Sequence, residues 1–269
     1  MRILICLNKD IYSSMALNYL IGDLKGDEVK ICFSDGVGVK KEVDELEKLL
    51  FWEQQFPIGD LFPSLEKEND LVGNRFKTFN EISEQNDIEI LNFKNINLDG
   101  AQYLKSTWSV DLVISVRYGV ILKEEFISCP KIGILNLHSG ILPKYRGIMS
   151  TFWAMLNGEK QIGATLHKIT DSEIDSGEIL AISKRDVCKN KSLIYNIASL
   201  YEQGCKDIIT AVNDVRKSGK IDVNFKDKNT EASIYNSYPT KSDFEDFKKK
   251  FKVSDKKEFF EEIITLYLN

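Results

Sequence analysis

Histidine is the scarcest ionisable residue of this 269-residue chain, which has only His138 and His167. The five cysteines (Cys6, Cys32, Cys129, Cys188 and Cys205) are scattered without a CxxC pair. Two imidazoles and no paired thiols give no ligand spacing for zinc, so no metal is expected. Scattered thiols read as reduced, which points to a reducing, cytoplasmic setting. Long hydrophobic runs are also missing: nothing approaches the ~18 uninterrupted apolar residues that suggest a membrane span. The opening MRILICLNKD breaks its apolar run at Asn8, Lys9 and Asp10, too early for a secretory signal, and reads as a first strand. Excess positive charge is absent, with a formal net charge of -5, so no global basic field attracts nucleic acid or an acidic membrane. No Ser or Cys sits in a GxSxG-like elbow, which disfavours a covalent enzyme nucleophile.

What is present is a large apolar fraction, 43%, enough for one α/β core and a smaller appendage. Residues 2–7, 29–34, 88–91, 111–116 and 132–137 read as strands. Residues 12–24, 43–56, 78–85 and 100–108 read as helices, and 54–74 as an irregular insertion or surface loop. The runs DLVISV and IGILNL show no polar alternation, as expected for strands buried on both faces of a parallel sheet. Alternating strands and helices imply a Rossmann-like, doubly wound, mostly parallel sheet. After residue 151 come a helix (FWAMLN), a strand (IGATLHKI), an acidic loop (TDSEIDSG) and a strand (EILAISKR). A long helix is expected over about 191–217, capped by Asn190 or Ser192 and ended near Gly219. The resulting division is a catalytic domain over 1–185 and, over 186–269, that helix plus a small α+β subdomain serving dimerisation and nucleotide contact.

Ligands of open α/β sheets sit beyond the carboxyl ends of the strands. Asn136 and His138 fall there, at the end of IGILNL, and as positions i and i+2 of an extended chain they point the same way. The turn that follows, SGILPKYRG, is stiffened by Pro143 and allowed sharp reversals by Gly140 and Gly147. On spacing alone, a surface turn with incidental polar residues fits as well. The acidic loop with Asp171, Glu173 and Asp175 can bring a carboxylate to His138, which favours imidazolium. Amide, imidazolium and carboxylate together suit oxyanion stabilisation and proton movement, as acyl transfer to an amine requires. His167, on the strand GATLHKI, reads first as a histidine filling space near such a site.

The stretch NLHSGILPKYRG, followed by FWAMLNGEKQIGATLHKITDSEIDSGEIL, resembles the signature of the folate-dependent formyltransferases. That family includes the glycinamide ribonucleotide, methionyl-tRNA and sugar N-formyltransferases. Its Asn-x-His, its LPxxRG turn and its Asp-x-Gly after a Gly-x-Thr-x-His strand occur here in order, and SVRYGVILKEEF resembles the family's preceding loop. The likeness is close over about 111–182 and loose in the N-terminal part. It implies Asn136, His138 and Asp175 as a catalytic trio and 10-formyltetrahydrofolate as formyl donor. By the same likeness the pterin lies between 118–122 and 169–175, against Tyr118, Gly119, Ile121, Leu122, Ile169, Thr170 and Asp171.

Three acceptors compete. The glycinamide ribonucleotide enzymes have a Gly/Ser-rich phosphate cradle, whereas the first loop here, Leu7-Asn8-Lys9-Asp10, has no glycine. The methionyl-tRNA enzymes carry a basic C-terminal barrel. From Ile221 onward this chain has 9 Lys against 10 Asp plus Glu, which disfavours phosphate-backbone binding. Sugar N-formyltransferases resemble the chain in length, acidic balance and a short tail with a stretch like YNSYPTKSDF. The expectation is therefore a nucleotide-linked amino sugar such as a dTDP-4-amino-4,6-dideoxyhexose, of the kind used in O-antigen and lipopolysaccharide biosynthesis. Asn8, Lys9, His167, Tyr235 and Tyr238 are candidate contacts, with Tyr235, Tyr238 and Phe244 as a stacking surface. Lys248 to Lys250 read as a solvated helix face. A homodimer, with no nucleic-acid partner, completes this expectation. Against it stand a methionyl-tRNA formyltransferase-like enzyme, to which the turn SGILPKYRG is the more similar, and a non-catalytic folate- or nucleotide-binding module.

Overall fold

A computed structural model describes residues 1–34, 43–67, 75–223, 225 and 232–269. Seven strands form the central sheet: β1 (Arg2–Asn8), β2 (Glu28–Ser34), β3 (Glu89–Leu91), β4 (Leu112–Val116), β5 (Gly133–His138), β7 (Gln161–Ile169) and β8 (Ile179–Asp186). Their order is β3-β2-β1-β4-β5-β7-β8. The first five are parallel, while β7 and β8 are added antiparallel beside β5. Two further strands, β6 (Tyr145–Gly147) and β9 (Ile234–Asn236), pair with each other and, among the described residues, with no other strand. The mostly parallel α/β sheet expected from the sequence is thus the observed one.

The continuous apolar runs feed both faces of this sheet. In β1, Ile3, Ile5 and Leu7 enter one core layer, while Leu4 and Cys6 enter the other. Successive side chains of a strand point to opposite faces, so a run buried throughout needs a helical layer on each side. The helix Ile11–Ile21 follows β1 directly, and Asp10 caps it by accepting the Ser13 N–H at 2.8 Å. The edge strand β8, half-buried along much of its length, passes from the apolar Ile179 to Ile182 into the polar Ser183, Lys184, Arg185 and Asp186, as an edge permits.

Two expected elements differ. The stretch from 54 to 67 is helical: Asp44–Leu50 continues through wide turns over Phe51–Gln55 and Pro57–Leu61 into Phe62–Lys67. Pro57 and Gly59 disfavour a regular α-helix, but a wide i→i+5 turn absorbs the missing proline N–H. Apolar contact holds the segment: Trp52 and Phe56 meet Phe259 and Phe260, and Phe62 meets Tyr267. Residues 68–74 of the expected insertion lie outside the described residues. The long helix is in fact two, Leu193–Ala198 and Tyr201–Ser218. At the break the Ser199 hydroxyl donates to the Asn196 carbonyl at 2.7 Å, competing with the regular ladder. Ser192, not Asn190, is the N-cap, and Gly219 ends the second helix in a left-handed conformation.

The tail shares the main core. Phe244, Phe247, Phe259, Ile263 and Tyr267 belong to the same buried cluster as Ile3 and Leu137. Phe244, expected as part of a stacking surface, is fully buried and packs on Phe152 at 4.9 Å, so it is a core residue. Lys248 pairs with Glu45, and Lys249 with Asp246 at 2.7 Å. No helix among the described residues is long and apolar enough to cross a membrane.

Candidate active site

In the strand order, the direction of winding reverses between β1 and β4, and a crevice at such a switch point is where doubly wound sheets bind ligands. A cleft of about 490 Å³ opens there and extends to β5 and the loop after β7. Asn136 and His138 stand at the end of β5 and both line it. The antiparallel register places Asn136 opposite His167 and His138 opposite Thr165. Asn136 Nδ2 lies 2.9 Å from His167 Nε2. The second histidine therefore belongs to the polar cluster of the cleft, a relationship that spacing along the chain did not reveal.

Asp175 ties the two imidazoles together. Its Oδ2 is 3.3 Å from His138 Nδ1, its Oδ1 is 3.5 Å from His167 Nε2, and Oδ2 also accepts the Gly147 N–H at 2.9 Å. Burial by itself raises the carboxyl's pKa. The charge of His138, the hydrogen bond from His167 and the Gly147 amide outweigh it and lower the pKa to about 2. Asp175 adopts φ 52, a left-handed conformation rare for a residue with a side chain. The loop then closes at Gly177, where a Cβ would lie 1.7 Å from the Lys168 carbonyl oxygen. Only glycine allows this approach.

The basic turn clamps the acidic loop. Arg146 Nε donates to the Ile174 carbonyl at 2.8 Å, and Nη2 pairs with Glu173 at 2.8 Å. Thr165 locks the other end, donating to the Gly140 carbonyl at 2.6 Å and accepting the Leu142 N–H at 3.1 Å. At Gly140 a Cβ would stand 2.6 Å from His138 Nε2, so the missing side chain is what admits the imidazole. His138 Nε2 meets the Tyr145 carbonyl at 2.7 Å. With an acceptor at each ring nitrogen, His138 is fully bonded only when it carries both protons.

His167 sits differently. Its Nδ1 is buried without a partner among the described residues. A bare lone pair there costs less than a stranded N–H, which assigns the proton to Nε2, facing Asp175 and Asn136. A half-turn of the Asn136 amide then sets Oδ1 on that N–H and turns the amide's donors into the cleft.

Of the residues expected to hold a folate, Tyr118, Gly119, Ile121, Leu122, Ile169 and Asp171 line the cleft, whereas Thr170 does not and instead donates to Asp171 at 3.3 Å. Asn8, His167, Tyr235 and Tyr238 also line it. Lys9 is not among the lining residues, and its ammonium lies 5.5 Å over the Phe33 ring. The sequence reading missed Asp10, Glu53 and Arg117, which meet on the β1 side of the cleft. Their only sequence signal is an arginine closing the apolar run DLVISVR.

Residues 82–212 match the model of the formyl transferase family. A bifunctional polymyxin resistance protein, ArnA, from Wigglesworthia glossinidia brevipalpis is 40% identical over 134 residues, covering 47% of this chain and 20% of that one. A methionyl-tRNA formyltransferase from Clostridium tetani is 33% identical over 135 residues, covering 49% of this chain and 43% of that one. The chain thus spans less than half the length of either relative. In fold, it is similar to an N-formyltransferase from Helicobacter canadensis solved with folinic acid and dTDP-3-aminofucose. The TM-score is 0.54 at 24% identity, over 88% of this chain and 71% of the other.

Proposed function

From the match of residues 82–212 to the formyl transferase family, we propose that the protein transfers a formyl group from 10-formyltetrahydrofolate to an amine. The acceptor we propose is a nucleotide-linked amino-dideoxy sugar, such as dTDP-4-amino-4,6-dideoxyglucose, in the cytoplasm. The cleft has a wall that suits a flat pterin. Val120 is 40% and Ile121 52% exposed, apolar surface that a planar ring covers, and Ile169 and Asp171 line the same cleft. Tyr118 to Leu122, with Ile169 and Asp171, would hold the folate, which supplies an activated formyl carbon.

The chain's own residues then act on charge and protons. Asn136 directs its amide donors at the carbonyl oxygen as negative charge builds there during attack by the amine. His138, held between Tyr145 and Asp175, keeps its imidazole fixed beside that oxygen. Asp175, with a pKa of about 2, is a weak base. Its part is to remain anionic and keep both imidazoles oriented, while water takes the proton lost by the amine.

The observation that carries the sugar-nucleotide reading is Tyr235. It is 54% exposed and stands on β9, which pairs with β6 of the very turn that follows His138. An aromatic face is thereby delivered to the cleft that holds Asn136 and His138, a fitting platform for a nucleotide base. The relatives named methionyl-tRNA formyltransferase favour a second acceptor, but residues 221–269, with 9 Lys against 10 Asp plus Glu, carry no net positive charge to attract tRNA phosphates. A purely binding module has no use for the Asn136–His167–Asp175–His138 chain of contacts. Formyl transfer from 10-formyltetrahydrofolate, assayed against a panel of nucleotide-linked amino sugars and charged methionyl-tRNA, tests the reading. Turnover of the tRNA and not of the sugars rejects it.

A further inference from the structure

The β1 side of the cleft contains a charge cluster that formyl transfer itself does not use. Arg117 follows β4 with φ 57. Its Nε lies 2.7 Å from Asp10, Nη2 3.3 Å from Glu53 and Nη1 3.4 Å from the Tyr201 hydroxyl, and its guanidinium carbon lies 4.6 Å over the Tyr12 ring. The members are not equally held. Asp10 also caps the Ser13 N–H and accepts from Asn8 at 3.0 Å, so it is committed. Among the described residues Glu53 has only long partners, Arg117 and the Tyr12 hydroxyl at 3.2 Å, and it keeps 18% of its side chain exposed at the cleft.

One guanidinium faces two carboxylates, so this end of the cleft holds no surplus positive charge for a phosphate. What it offers is a pair of neighbouring groups, one that donates in a plane and one that accepts. A hydroxyl does both, and two adjacent hydroxyls bridge such a pair with all four polar groups satisfied.

We propose that Arg117 and Glu53 recognise ring hydroxyls of the acceptor's sugar and are its specificity-determining residues, while the diphosphate binds elsewhere. The inference rests on the amino-sugar reading above. It also accounts for the left-handed Arg117 backbone, which turns the guanidinium back over the end of β1, where Asp10 fixes it.

The test uses the full chain with dTDP-4-amino-4,6-dideoxyglucose, with dTDP alone and with 10-formyltetrahydrofolate. Absence of wild-type turnover with any amino sugar nucleotide removes the amino-sugar reading, and this proposal with it, before a variant is made. Given wild-type turnover, Glu53→Gln assayed at pH 8, where the Glu53 carboxyl is ionised, is expected to raise the acceptor KM roughly ten- to hundredfold, the equivalent of one charge-assisted hydrogen bond. The folate KM and the dTDP dissociation constant are expected to stay within about twofold, since neither ligand meets Glu53. Arg117→Lys, which keeps the charge and loses the planar fork, is expected to do the same and serves if Glu53→Gln melts out. An unchanged acceptor KM in the folded variant overturns the proposal alone, and so does equal weakening of dTDP, which would place the diphosphate here.

Discussion

Asn136 and His167 face each other across the β5–β7 ladder, with 2.9 Å between the amide nitrogen and Nε2. That cross-strand pair makes His167 a positioning residue for Asn136, since its Nε2 proton decides which end of the amide faces the cleft. His167→Ala is expected to lower kcat about tenfold or more while leaving both KM values near wild type, because it frees the amide to rotate without removing it. His167→Gln, whose amide can donate to the same oxygen, is expected to recover part of the loss. Steady-state kinetics of the two variants separates positioning from a purely structural role, in which both would fall with thermal stability.

Truncating the donor itself is more severe. Asn136→Ala is expected to cost ~10²–10³ in kcat, the magnitude typical of removing one oxyanion donor. Single-turnover measurements at saturating folate should show the deficit in the chemical step. An effect confined to KM would contradict the role given to Asn136.

Asp175 links activity to acid stability. Its pKa is lowered from the ordinary 3.8 to about 2, so the folded chain binds this proton less readily than the unfolded chain. The stabilisation it gives is present above about pH 4 and is lost as pH falls through about 2. Asp175→Asn is expected to flatten the acid limb of a stability-against-pH curve and to reduce kcat at neutral pH. Urea midpoints between pH 2 and pH 6 measure the first effect.

Glu53 has the opposite sign. Burial raises its pKa from 4.5 to about 7, with Asp10 adding to the rise and Arg117 opposing it. The folded chain therefore holds this proton more tightly, and stability declines as pH rises from about 4.5 to about 7, then levels. Glu53→Gln is expected to remove that component of the slope, as read from melting temperatures across pH 5–8 against the wild-type curve.

Gly177→Ala tests the loop's closure. A Cβ 1.7 Å from the Lys168 carbonyl cannot be relieved by a side-chain rotation, because the obstacle is backbone. The loss is expected to be at least about 3 kcal/mol, above the usual cost of overpacking. Urea denaturation would show it, and a near-neutral result would mean that the loop closes differently.

The sheet was largely legible in the sequence. DLVISV and IGILNL read as strands because burial on both faces requires an uninterrupted apolar run. The direction of β7 had no such signal, since a strand buried along most of its length reads the same forward or backward. Without that direction, the register that sets His167 against Asn136 has no sequence signature. The convergence of Asn136 and His138 was readable because two residues apart on a strand means one face. The Asp10–Glu53–Arg117 cluster was not, because its members come from three distant segments that meet only at the sheet's switch point. The helical turns around Pro57 were missed for another reason: local breaker signals were overridden by aromatic packing against the C-terminal end.

The pairing of β6 with β9 has a consequence for how this scaffold can change. Residues 234–236 of the tail complete their strand on residues 145–147, within a few positions of His138. The tail is therefore not an interchangeable attachment. Grafting one from a relative would carry over a new base platform only if it also brought a segment able to hydrogen-bond with 145–147. On the proposed reading, acceptor choice and catalytic geometry would be inherited together, and a chimera joined after residue 220 should lose both or keep both.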